Sequence, residues 1–122
     1  MQLLENAVAT GAVLVALILA LGSISGAHFN PIVTLADRIL GGMTTREAGV
    51  YVLAQVAGGC LGAIVANLMF DLPAVTWSTH DRSSSGVLLG ELVAAFGLLM
   101  VILGVVRAGR AQMAAFAVAG YI

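Results

Sequence analysis

The chain has 122 residues, 61% of them hydrophobic and 9% charged, with a net charge of −1. Soluble domains carry about 25% charged residues, so this chain lacks the polar surface needed to face water and reads as a membrane protein whose first partner is the lipid bilayer. No basic run offers phosphates a footing, so no nucleic acid is expected, and with Cys60 the single cysteine no intrachain disulfide is open to it.

Residues 3–22 make the first apolar stretch, broken only by Glu5, Asn6 and Thr10. At about 1.5 Å per residue it crosses a hydrocarbon core about 30 Å thick. It has no basic n-region and no obvious cleavage site, which predicts a spanning helix rather than a signal peptide. Residues 30–40 open with Asn30-Pro31 and run into Gly41-Gly42. Asparagine is favoured at an N-cap, proline at the first helical position and glycine just past a helix end. That pattern predicts a helix of about three turns, too short to span. Its start (Ile32, Val33, Leu35, Ala36) is apolar and its end (Asp37, Arg38) charged, as in a helix that dips into the membrane and points back out.

Thr44 and Glu47 stand at capping-box spacing and open a second span over residues 48–70, in which only Gln55 and Asn67 are strongly polar. A third span, residues 86–106, contains one acid, Glu91. Residues 111–122 are apolar, too short to span, and read as the start of a further helix cut off by the chain end. Gly22 and Gly26, Gly58 and Gly62, and Gly86 and Gly90 stand at the spacing that lets helices approach closely in lipid. Arg38 and Arg46 follow the first span and Arg107 and Arg110 the third, whereas the loop between holds Asp71, Asp81 and only Arg82. The positive-inside rule predicts that the arginine-rich loops are cytoplasmic. The expectation is a multi-pass protein of the plasma (inner) membrane, its short helix entering from the cytoplasm.

Irregular backbone at membrane depth survives only when buried in protein or lining a wet cavity. Residues 25–29 are therefore a candidate lining, offering carbonyl acceptors to a passing solute. The short helix adds a partial positive charge of about half a unit at its start, which favours dipolar solutes and repels cations. Asn30, as N-cap, would accept through its side-chain oxygen and leave its NH2 as a donor pair. Facing a pore, that donor forces a water to accept and interrupts a proton-conducting chain; the plainer alternative is a cap in a cytoplasmic loop. His28 has no second His, Cys or acid at ligand spacing, so neither metal nor cofactor is expected. His80 with Asp81 reads as a solvated loop pair. No nucleophile–base pairing, phosphate loop or paired acids suggests an enzyme, and no residue is a catalytic candidate.

The run Ser25-Gly26-Ala27-His28-Phe29-Asn30-Pro31-Ile32-Val33-Thr34 closely resembles the first signature loop of the major intrinsic protein family, the aquaporins and glycerol facilitators. Ile32 stands where the family usually has alanine. Residues 51–59 look like the family's third helix, and residues 90–104, with Glu91 near their start, like the fourth. The resemblance implies an all-α membrane protein: an aquaporin-like right-handed helical bundle with a re-entrant half-helix, here an incomplete channel domain over residues 1–122. It implies a pore path along Gly26, Ala27, His28, Phe29, Asn30, Pro31 and Ile32, and passive transport of water or small neutral solutes. It also implies a homotetramer of full-length subunits. Thr10, by an ungapped count back from Asn30, matches a selectivity-filter position where water-selective members carry an aromatic residue. A threonine there suggests room for glycerol-like solutes or metalloid hydroxides, although Ile32 narrows the centre. Glu91 matches a glutamate that holds the backbone of a re-entrant loop, and Gln55 serves as an interhelical hydrogen-bonding support.

The matched chain begins at the family's second helix and stops in its fifth, which leaves open a truncated, non-conducting fragment. A secondary transporter built on broken helices is a further alternative, but coupled transport normally leaves ionisable groups at mid-membrane and only Glu91 qualifies. On this account the 122-residue chain, reconstituted alone in liposomes, gives no water or glycerol flux above that of empty liposomes by stopped-flow light scattering. Flux clearly above that background contradicts it.

Overall fold

The computed structural model describes residues 2–77 and 83–122; the His80–Asp81 pair and Arg82 lie outside the described residues. The helices are α1 (Gln2–Ser25), α2 (Pro31–Ile39), α3 (Thr45–Met69), α4 (Ser85–Arg107) and α5 (Ala114–Tyr121), with a 3₁₀ turn at Ala111–Met113 leading into the last. Among the described residues there is no strand. α1, α3 and α4 hold 24, 25 and 23 residues and are long and apolar enough to cross a membrane. Almost none of their apolar surface is covered within the chain, which suits lipid or other helices as surroundings and excludes water. The described residues are all-α, as the sequence led one to expect of a membrane protein.

Two compact units make up the chain, Met1–His28 with Leu88–Ile122, and Phe29–Val87. In the first, α1 packs on α5. They come close at Gly11, where a Cβ would stand 3.3 Å from the Ala119 carbonyl oxygen. That approach is the use small residues have in lipid, where dispersion contacts replace the hydrophobic effect. The Tyr121 hydroxyl donates to the Ala94 carbonyl at 3.0 Å, and its ring covers Gly97, where any side chain would collide with it. Ala115 and Leu98 are buried here.

In the second unit α2 lies on α3, and Thr34, with no exposed surface, is its most buried side chain. The link between the two helices is built from local signals. Leu40 caps α2, the Gly41 amide donates to the Arg38 carbonyl at 3.2 Å and the Gly42 amide to the Asp37 carbonyl at 2.9 Å. This is a Schellman motif, with Gly41 in the left-handed region at φ 86°. Thr44 then opens α3 with a complete capping box: Glu47 N donates to Thr44 Oγ1 at 3.1 Å, and Thr44 N to Glu47 Oε2 at 2.7 Å. α3 ends the same way as α2, with Asp71 at φ 55° and the Leu72 amide on the Asn67 carbonyl at 2.8 Å. α4 repeats it at Gly109, φ 73°.

The cap at Gly41 decides that α2 stops after 9 residues. Replacing it by alanine forces a side chain into the left-handed region, at a cost of about 1–2 kcal/mol. We expect Gly41→Ala to lower the unfolding midpoint in mixed detergent micelles, whereas Gly58→Ala, in open space within α3, lowers it little or raises it. Equal losses would contradict this assignment.

Candidate functional site

The site grows from the end of α1. The Gly26 amide donates to the Gly22 carbonyl at 2.9 Å, and there the helical pattern stops. The Ala27 amide turns instead to Ser25 Oγ at 3.3 Å. Gly26, Ala27 and Phe29 all have left-handed backbone, at φ 79°, 48° and 50°. For the alanine and the phenylalanine this costs about 1–2 kcal/mol each, so the surroundings must hold the conformation in place. The result is a loop whose carbonyls at Gly26, Ala27 and Phe29 receive no main-chain amide among the described residues. Three acceptors are thus left for something other than backbone among the described residues. Gly26 is required twice over, because a Cβ on it would also stand 3.2 Å from His28 Nε2. Ala27 is buried, His28 half-buried, and Phe29 exposes 45% of its surface.

Asn30 follows in an extended conformation and caps α2. Its Oδ1 accepts from the Ile32 amide at 2.9 Å, and its main-chain oxygen accepts from the Thr34 amide at 3.1 Å. Pro31, at the first helical position, has no N–H to satisfy. With Oδ1 committed, Asn30 keeps two donor hydrogens on Nδ2, and among the described residues nothing accepts them. Ile32 stands next to this amide with 40% of its surface exposed.

Behind Asn30, two side-chain bonds hold α2 to α3. Gln55 Nε2 donates to Thr34 Oγ1 at 2.9 Å, and Arg38 Nε donates to Thr45 Oγ1 at 2.8 Å. Gln55 is thus an interhelical hydrogen bonder. Its Oε1 is buried and has no partner among the described residues. A hydrogen bond returns about 1 kcal/mol, while a buried unmet acceptor costs about 1–3 kcal/mol, so the Gln55 amide adds little net stability.

The other anticipated residues, Thr10 and Glu91, belong to the first unit. Thr10 lies exposed on α1, its hydroxyl donating to Asn6 Oδ1 at 3.3 Å. Glu91 is exposed on α4 and forms no hydrogen bond among the described residues. No cluster of three metal-ligating side chains occurs among the described residues. The cleft between α1 and α5, lined by Val8, Gly11, Val15, Phe116 and Ala119, is mostly apolar. The sequence placed Ser25 in the candidate lining but did not show its hydroxyl accepting from the Ala27 amide, and it gave Thr34 no role. Thr34 carried a signal, since it is the polar residue four positions after a cap in an otherwise apolar start. Ser25 carried none for that bond.

A family model described as Major intrinsic protein matches residues 1–121. The chain is 47% identical over 110 residues to the aquaglyceroporin AqpS of Rhizobium meliloti (strain 1021), a match covering 90% of this chain and 47% of that protein. It is 39% identical over 124 residues to the aquaporin NIP1-4 of Oryza sativa subsp. japonica, covering 95% of this chain and 44% of that one. Over 67 residues it is 43% identical to aquaporin-8 of Notomys alexis, 55% of this chain and 26% of that protein. The chain spans about half the length of the first two of these relatives. No solved structure matches it.

The cap and the donor pair on Asn30 are separable. Asn30→Ala removes the acceptor of the Ile32 amide, a loss of about 1 kcal/mol, and should speed hydrogen exchange of that amide about fivefold. Asn30→Asp keeps the acceptor and should leave the amide protected, although it deletes the NH2. If both variants deprotect Ile32 equally, the side-chain cap is not what holds it.

Proposed function

The chain belongs to the major intrinsic protein family, and we propose that it forms the re-entrant half of a channel for passive movement of water and small neutral solutes. The observation that carries this is Asn30, which spends its oxygen on the helix it caps and keeps its amide hydrogens without an acceptor among the described residues, following in sequence the carbonyls of Gly26, Ala27 and Phe29, which receive no main-chain amide among those residues. A hydroxyl-bearing solute can donate to those carbonyls and accept from Asn30. A water at Asn30 must accept, so it cannot pass a proton onward along a hydrogen-bonded file. The start of α2 adds a partial positive charge, which repels cations, hydronium included.

Two features support solutes of glycerol size. Thr10 matches a filter position that admits larger solutes when it is not aromatic, and one relative is named an aquaglyceroporin. Metalloid hydroxides share the same size and hydrogen-bonding character, and Ile32, beside the Asn30 amide, sets the lower bound on width. The chain is a multi-pass membrane protein. Arg38, Arg46, Arg107 and Arg110 support a cytoplasmic position for their loops, with the plasma membrane as the site and a homotetramer as the assembly of full-length subunits.

The test is a chimera in which this chain replaces the matched part of the Rhizobium aquaglyceroporin, reconstituted in liposomes. Expected are glycerol and water fluxes that rise linearly with the gradient, with no proton leak. Thr10→Phe should cut glycerol flux severalfold and spare water. Saturable or proton-driven uptake would favour a transporter over a channel, and equal loss of both solutes in Thr10→Phe would remove Thr10 from the filter.

A further inference from the structure

We propose that Thr34 and Gln55 act together as positioning residues that aim the Asn30 amide, and that their hydrogen bond serves direction rather than stability. The proposal rests on the channel reading of Asn30, and three observations lead to it.

Thr34 is fully buried and lies four residues after Asn30, so it stands one turn above the cap on the same side of α2. Its amide already donates to the Asn30 main-chain oxygen at 3.1 Å. Rotation of the nine-residue α2 about its own axis would swing the cap, and with it the donor hydrogens on Nδ2. The Thr34 side chain, β-branched and stiff about χ1, is where that rotation is stopped, because Gln55 Nε2 of α3 donates to its hydroxyl at 2.9 Å. The second tie, Arg38 to Thr45, is exposed and sits near the opposite end of α2 from the cap.

The third observation is Gln55 Oε1, buried without a partner among the described residues. An amide bonded through its nitrogen, with its buried oxygen unmet among the described residues, is a poor source of stability. Two apolar side chains of similar shape would pack at least as well. What such a pair could not supply is the single preferred orientation that one directional bond imposes on α2.

Stability and aim therefore respond differently to substitution. In lipid nanodiscs holding the 122-residue chain, the double variant Thr34→Val/Gln55→Leu should unfold at the same midpoint as the parent or higher. Its Ile32 amide should nevertheless exchange about fivefold faster or more, because the cap it bonds to is no longer held in one orientation. Amides of α3 should be unchanged. Thr34→Ser, which keeps the hydroxyl, should behave like the parent in both measurements. An unchanged Ile32 exchange rate in the double variant overturns the proposal. So does faster exchange accompanied by a matching fall in the midpoint, which would make the pair an ordinary packing contact. Neither measurement needs flux, so a chimera that fails to conduct would overturn the channel reading and leave this result to be judged on its own.

Discussion

A main-chain amide at the start of a helix has no acceptor within the helix itself, and in this chain that constraint falls on Ile32. An unmet N–H in hydrocarbon costs several kcal/mol, so a helix can begin at membrane depth only if the preceding residue supplies an acceptor. Pro31 removes one orphan donor by having none, and Asn30 covers the next through Oδ1 at 2.9 Å. An amide side chain cannot commit its oxygen without leaving its nitrogen oriented. The donor pair that gives the site its chemistry is thus a by-product of solving the capping problem. An aspartate or serine would cap as well and would leave no such pair.

The surrounding structure follows from having to begin and end a short helix in this place. The residues before Asn30 cannot be helical, and left-handed backbone at Gly26, Ala27 and Phe29 turns the chain without spending its carbonyls on its own amides. After nine residues Gly41 stops the helix and Thr44 starts the next. The long helices contribute apolar length and, at Gly11 and Gly97, places where neighbours come close. Most of their surface remains uncovered within this chain. That fits a segment spanning about half the length of its relatives, in a fold whose helices otherwise pack on one another.

Much of this was legible in the residues, for a physical reason. Caps are local, and Asn30-Pro31, Gly41-Gly42 and Thr44 with Glu47 each specify a helix boundary within a few positions. The three long apolar stretches were equally plain, because bilayer thickness sets their length. What was not legible depends on distant partners or on strain. Nothing about Ala27 or Phe29 announces a left-handed backbone, which their side chains disfavour. Tyr121 meeting Ala94 and Gly97 joins two helices across 27 and 24 positions of chain, and no local pattern encodes it. Gln55 was visible as a polar residue in a span, but its partner Thr34 was not. Glu91, also conspicuous, is exposed and forms no bond among the described residues.

The central claim is that the Asn30 NH2 group faces a wet path rather than lipid or protein. The direct measurement is the cross-relaxation of its two side-chain amide protons in the chimeric channel, reconstituted in nanodiscs with selectively labelled asparagine. The account predicts magnetisation transfer from water to both protons and none from lipid acyl chains. Transfer from acyl chains, or none from water, would contradict it.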